Sequence, residues 1–192
     1  MLYGVDISEH NGFVDFEELK QAGIKFVIIR CSYGLNEDSN FKDNVYRANK
    51  AGLMCGVYHY SYALTVERAI EESEFVCNLI SECGCFLGLP IFLDMEDADN
   101  YKRNRGITNV RINEICKYFI NHTKKYYDCG LYASFDWLKN IIDWKTLDCC
   151  IWSAQWCNVD NFKGYMWQYT DNLNINGKLF DGNILYEYGV DF

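Results

Sequence analysis

Proline is almost missing from this chain: Pro90 is the only one in 192 residues. Histidine is nearly as scarce. His10, His59 and His122 make up the whole set, and none has a spacing such as HExxH. No metal is therefore indicated, and no cofactor. Basic charge is also short, with 18 Lys and Arg against 27 Asp and Glu and a net charge of −9. A nucleic-acid binder needs a basic face to neutralise phosphate, and docking on anionic lipid needs one too. Both partner classes are disfavoured. No apolar run approaches the ~20 residues of a membrane span, so no membrane insertion is expected. The opening MLYGVDIS has no basic n-region and enters a strand at once, so no signal peptide is read there. The ten cysteines contain no CxxC pair; Cys83 and Cys85 are too close for a zinc knuckle, and Cys149 and Cys150 are adjacent. Most of the others sit in apolar runs such as FVIIRCSYG and LMCGVYHY. They read as free thiols packed as small core residues, in a protein made in a reducing compartment.

Apolar residues, by contrast, make up 49% of the chain, enough for a full core in one domain of this length. Their periodicity alternates. LYGVDIS (2–8), KFVIIRCS (25–32) and LMCGVYHYSYA (53–63) read as strands. DFEELKQAG (15–23), NFKDNVYRANKAG (40–52) and TVERAIEESEFVCNLIS (65–81) read as helices between and after them. Asp15 with Glu18 has the form of a capping box. In the third helix the apolar residues recur at three- and four-residue spacing, with the acids assigned to the other face. Pro90 opens the strand IFLDMED, a helix follows at about 108–126, and CGLYASF (129–135), CIWSAQW (150–156), GYMWQYT (164–170) and GKLFDGNILY (177–186) are later strands. Such alternation implies parallel strands joined by crossover helices. About eight strands with fewer helices, and little room for helices in the last third, predict an α/β fold: an irregular, flattened (β/α) TIM-like barrel. The alternative is an open doubly wound sheet, weakened because no glycine-rich phosphate loop follows the first strand. One domain is expected over residues 1–192.

In parallel barrels the reacting groups come from the C-terminal strand ends. Those ends carry Asp6, Ser8 and His10, then Ser32 and Tyr33, then His59, Tyr60 and Tyr62. Next come Asp94 and Glu96, Tyr132 and Ser134, and finally Gln155, Gln168 and Asp181. Strand side chains alternate, so Phe92, Asp94 and Glu96 share one face while Ile91, Leu93 and Met95 share the other. The aliphatic set packs on helices, and the acids face the barrel mouth. Like charges so placed cannot both ionise cheaply, so at least one pKa rises. A carboxylic acid that keeps its proton can serve as a general acid, and a neighbouring carboxylate can support an oxocarbenium-like carbon; together they do glycoside hydrolysis. Asp97 and Asp99 read as solvated loop acids. Asp6 and Asp181 alone would each read as turn residues. His122 reads as a surface or packing residue of its helix, and His59, alternating with Tyr58 and Tyr60, as a structural hydrogen-bonding residue.

Seven segments in order, YGVDISEHNG, FVIIRCSYG, AGLMCGVYHYSYA, PIFLDMED, GLYASFDWL, IWSAQW and MWQYT, followed by FDGN, resemble the Chalaropsis-type lysozymes, glycoside hydrolase family 25. The resemblance covers nearly the whole chain. It implies a flattened barrel with fewer helices than strands. It also implies cleavage of the β-1,4 bond between N-acetylmuramic acid and N-acetylglucosamine. Carried over by position, Glu96 resembles the acid/base, and Asp94 the carboxylate that orients the substrate N-acetyl group or balances its charge. Asp6 and Asp181 resemble accompanying acids, FDGN being a closing acidic turn. Tyr60, Tyr62, Tyr132 and Gln168 resemble substrate-facing positions, and Tyr33 and Trp156 complete the expected sugar-binding set. The ten cysteines and the acidic LNEDSN segment depart from the family pattern.

Neighbouring-group attack by the N-acetyl oxygen, with retention, is the favoured route. A direct nucleophile at Asp181 and inversion through an Asp-held water stay open. A chitinase-like endo-N-acetylglucosaminidase and a non-catalytic sugar-binding barrel are the competing functions. The expected partner is the peptidoglycan glycan strand, with monomer the default state. The expected setting is synthesis in the cytoplasm and action on the wall after release, as in an endolysin, or as part of a longer wall-targeted protein. A wall-binding module beyond YEYGVDF is a corresponding expectation.

Overall fold

The structure is a computed structural model that describes residues 1–186; the end of the chain around EYGVDF lies outside the described residues. Nine strands form one sheet: β1 (Leu2–Ile7), β2 (Phe26–Tyr33), β3 (Asn36–Glu37), β4 (Met54–Tyr60), β5 (Ile91–Asp94), β6 (Cys129–Ser134), β7 (Cys150–Ala154), β8 (Met166–Ile175) and β9 (Lys178–Leu185). β1 pairs with both β2 and β9, so eight strands close into a barrel and β3 remains a two-residue flap on β2. Seven barrel strands run parallel; β9 runs antiparallel to both β8 and β1. The helices are α1 (Phe16–Gln21), α2 (Phe41–Ala51), α3 (Val66–Cys83), α4 (Asn109–Thr123) and α5 (Phe135–Asn140). After β7 no helix occurs among the described residues, as the spacing in the last third predicts.

Strand alternation sorts the core into two layers. Outward Val5, Val27, Ile29, Val57, Ile91, Leu93 and Leu131 pack under the helices with Val45, Val76, Ile115 and Phe119. Inward Phe26, Ile28, Phe92, Trp152, Met166 and Leu185 fill the barrel floor. Side chains fill the bore and leave the mouth for polar groups, as in other small barrels.

Local signals place the helix starts. Asp15, Thr65, Thr108 and Ser134 each accept a backbone N–H three residues on. At α1 only half of the expected capping box forms: Asp15 accepts from the Glu18 N–H at 3.1 Å. The acids of α3 do not all face water. Glu72 is fully buried, a correction to the amphipathic reading whose cause is the polar cluster behind β4 described below. No helix of the described residues is long and apolar enough to cross a membrane.

FDGN is not a turn. Asp181 lies within β9, directly opposite Asp6 of β1. The turn falls earlier, at Asn176 and Gly177, both with positive φ, where an Asn-Gly pair suits a tight hairpin. Asp-Gly and Asn-Gly look alike in sequence. Only Asn-Gly here sits where β8 ends and β9 begins.

Candidate active site

The mouth is built by inward residues at the C-terminal strand ends. Tyr60 of β4, Asp94 of β5 and Tyr132 of β6 are register neighbours. Asp6 of β1 and Asp181 of β9 stand opposite one another across their antiparallel ladder. Glu96 follows β5 by two residues on the same inward face.

Asp6 is buried, and its Oδ2 accepts from Gln168 Nε2 at 2.9 Å and Asn183 Nδ2 at 2.7 Å. Burial, then the Asp181 charge, hold its carboxyl well above the usual range against those two amides, and a hydrogen bond joins it to Asp181. Asp181 is also raised, by burial and the Asp171 charge, while the Asp6 hydrogen bond opposes this. The two acids therefore act as one pair that retains a proton.

Asp94 is 3% exposed, and its Oδ1 has no hydrogen-bond partner among the described residues. Burial and the neighbouring Glu96 push its carboxyl well up, with Lys102 pulling the other way. Glu96 is half-buried. Burial raises it, Lys102 opposes, and the Asp181 charge adds to the rise. All four acids are thus coupled through one mouth, and each titrates above its ordinary range.

The predicted aromatic and amide residues divide into two groups. Tyr60 and Tyr62 form a tilted pair with ring centroids 5.1 Å apart, and Tyr62 donates to Asp99 Oδ2 at 3.1 Å. Trp156 is 61% exposed, a surface on which a sugar face can lie. Tyr33 is half-buried beneath the Arg30 guanidinium, 5.0 Å from its ring centre. Tyr132 and Gln168, by contrast, lie beneath the surface. Gln168 Oε1 accepts from Tyr132 Oη and Trp156 Nε1, both at 3.0 Å, while its amide N–H holds Asp6. Their hydrogen bonds are spent on the protein, so they support the carboxyls from below. Asp97 is a half-buried loop acid whose oxygens accept the main-chain N–H groups of Lys102 at 2.7 Å and Arg103 at 2.9 Å. Asp99 is exposed. Ser8 caps the turn after β1, accepting from the His10 N–H.

Three contributors have little or no local sequence signal. Tyr58 points into the bore and feels both Asp6 and Asp94; its parity with Tyr60 is the one clue to it. Glu72 accepts from His59 Nε2 at 3.1 Å, Ser61 Oγ at 2.6 Å and the Tyr62 N–H at 3.2 Å. Burial pushes the Glu72 carboxyl up, but those hydrogen bonds and the His59 charge outweigh it and hold it below the usual range. His59 also meets Ser32 Oγ at 2.8 Å and stacks on Phe119. It is a structural residue facing the helix layer. Lys102 is the third. His122 hydrogen-bonds Ser73 of α3 at 3.0 Å and serves packing between α3 and α4.

A cavity of ≈ 730 Å³ lined by Trp144, Cys149, Cys150, Phe162 and Tyr165 opens at the opposite end of the barrel. It lies away from the acids.

Interacting, protonatable carboxylates at the mouth of a (β/α) barrel are the groups that glycoside hydrolysis requires. The chain matches the model of Glycosyl hydrolases family 25 over residues 5–178 and belongs to that family. It is 31% identical over 180 residues to an autolytic lysozyme of Clostridium acetobutylicum. That alignment takes in 91% of this chain and 52% of the relative, so the chain spans about half that protein's length. Among solved structures, the modular autolysin LytC of Streptococcus pneumoniae, bound to a synthetic peptidoglycan ligand, superposes with a TM-score of 0.84 at 23% identity. The match covers 96% of this chain and 46% of that one. The catalytic domain of a bacteriophage endolysin of Listeria monocytogenes gives 0.82 at 25% identity, covering 97% and 94%.

Proposed function

We propose that this chain is an N-acetylmuramidase that hydrolyses the β-1,4 bond between N-acetylmuramic acid and N-acetylglucosamine in peptidoglycan. The observation that carries this reading is the unpartnered, buried Oδ1 of Asp94 beside Glu96. A lone acceptor there is matched by the N–H of a 2-acetamido group. Hydrogen bonding to the carboxylate favours its ionised form. Substrate binding therefore makes Asp94 the anion and leaves the shared proton on Glu96.

Glu96 then donates that proton to the glycosidic oxygen. The substrate N-acetyl oxygen, oriented by Asp94, closes on the anomeric carbon from the opposite face. Water, deprotonated by Glu96, opens the intermediate, and the configuration is retained. Asp6 and Asp181 hold negative potential beneath the ring, and Tyr60, Tyr62, Tyr33 and Trp156 supply faces for neighbouring sugars. The glycan strand of the wall is the partner, and action on the wall, as for the autolysin and endolysin relatives, is the setting. Tyr132 and Gln168 act by holding Asp6.

Glu96→Gln keeps the shape and removes the proton donor. Wall lysis should fall by at least the ~10²–10⁴ of general acid catalysis. Lysis at the wild-type rate would remove Glu96 from the mechanism. Mass spectrometry of borohydride-reduced digests identifies the bond. New reducing ends on muramic acid support the muramidase. Ends on glucosamine assign the chain to the endo-N-acetylglucosaminidases, and binding without any new ends makes it a binding module.

A further inference from the structure

Lys102 carries a charge that nothing in the reaction so far uses. It lies in the loop after β5 and is 1% exposed. Its Nζ donates to the main-chain carbonyls of Ser61 and Glu96, the latter at 2.7 Å. The ammonium lies 5.2 Å from the Tyr60 ring centre and 5.8 Å from that of Tyr62. Its own backbone is clamped by Asp97. A buried ammonium carries a large desolvation cost unless nearby groups offset it. Its close partners here are carbonyl oxygens and aromatic faces, and the carboxylates act on it through space.

We propose that Lys102 is a positioning residue for the reaction: it ties the segment carrying Glu96 to the end of the Tyr60–Tyr62 wall and supplies the positive charge that lets Asp94 become the anion during turnover. This rests on the reading of Asp94 and Glu96 as the catalytic pair. The tie is geometric. One ammonium bridges Ser61 and Glu96, which follow separate strands, β4 and β5, so the sugar-stacking wall and the acid keep a fixed spacing. The charge effect follows from placement. Asp94 is the acid that acts most strongly on Lys102, followed by Asp97, Glu72 and Asp99. From α4, Cys116 faces the same ammonium. Across the mouth, Asp6 and Arg30 act on Asp94 with opposite signs, and Asp181 acts on Glu96.

The sign is fixed by the charge. A nearby cation favours the ionised form of both Asp94 and Glu96. Without it, both carboxyls hold protons to higher pH. The active form has one proton on the pair, so the acidic and alkaline limbs of kcat/KM both move upward.

Lys102→Met and Lys102→Arg, in the full chain with solubilised peptidoglycan, test this. In Lys102→Met the bell should move up by about one pH unit, with kcat/KM at the wild-type optimum down tenfold or more. Lys102→Arg should retain the wild-type limbs even where its rate is lower. A folded Lys102→Met with both limbs unmoved overturns the proposal. So does an equal shift in Lys102→Arg. A second measurement covers the case in which Lys102→Met fails to fold. In the wild type, the nitrogen-15 resonance of the Lys102 ammonium should follow the same titration steps as the activity limbs. A flat response overturns the charge role. Loss of the whole muramidase reading would appear separately, as undiminished lysis by Glu96→Gln.

Discussion

At the scale of single residues, the site keeps its acids under strain of a particular kind. Asp94 is buried with one oxygen unpartnered, and its carboxyl is held well up by burial and by Glu96. An acid whose folded pKa is raised stabilises the protein fully below its unfolded value and loses that stability as pH rises through the folded one. Asp94→Asn removes the titrating group while preserving the shape. It should therefore melt higher than the wild type at neutral pH and about level with it in acid, while lysis falls by at least ~10²-fold. Each kcal/mol gained would appear as about 2–4 °C in Tm, read by calorimetry at two pH values. A neutral-pH Tm at or below that of the wild type would contradict the burial argument.

The acids of this site were legible because strand alternation alone puts Asp94 and Glu96 on the face opposite Leu93 and Met95. Lys102 was not. Its partner Ser61 lies 41 residues back in the chain, and no periodicity announces a loop lysine that folds under a strand end. Glu72 was hidden for a related reason. A helix acid reads as solvent-facing until the His59 and Ser61 groups that satisfy it are placed beside it.

At the scale of elements, the barrel floor depends on small residues facing large rings. Gly130 of β6 lies between Phe92 of β5 and Cys150 of β7. A Cβ there would stand 2.7 Å from both Cys150 Sγ and the Phe92 ring. Gly130→Ala should destabilise the fold by about 1–3 kcal/mol, the usual cost of overpacking, visible as a lower urea midpoint. An unchanged midpoint would mean that the floor is loosely filled. The strands themselves were readable as apolar runs of the right length. The last strand was readable too, at 177–186 against Lys178–Leu185, but the length of β8 was not, because it continues through polar TDNLNI past the barrel rim, and FDGN imitates a turn. The Asp6–Asp181 pairing follows from FDGN lying within that last strand.

The polar cluster behind β4 belongs to this scale as well. Glu72 of α3 ties His59, Ser61 and the Tyr62 backbone to one point. Glu72→Ala would leave those buried groups without their acceptor and should cost about 3–5 kcal/mol, measured by denaturant unfolding. A loss under ~1 kcal/mol would show that the cluster does not anchor α3 to the barrel.

At the scale of the whole molecule, the ten cysteines are all free; five are buried, five are partly exposed, and most lie in or against the core layers. Burial pushes the Cys31 and Cys55 thiols up to about 12. Such thiols are protonated at neutral pH and are poor nucleophiles. A thiol reagent should therefore titrate the native protein far short of ten equivalents and reach ten only in denaturant. Tm should be the same with and without reductant. Prompt reaction of all ten in the native state would contradict the packing described.

The whole fold brings four acids, distant in the chain, to one barrel mouth, where they retain protons that isolated carboxyls would lose. Carbon-13 titration of the side-chain carboxyls in the wild type, assigned with Asp94→Asn and Glu96→Gln, tests that claim most directly. The Asp94 and Glu96 resonances should titrate in linked steps above the ordinary carboxylate range. Independent titration of both within that ordinary range would contradict it.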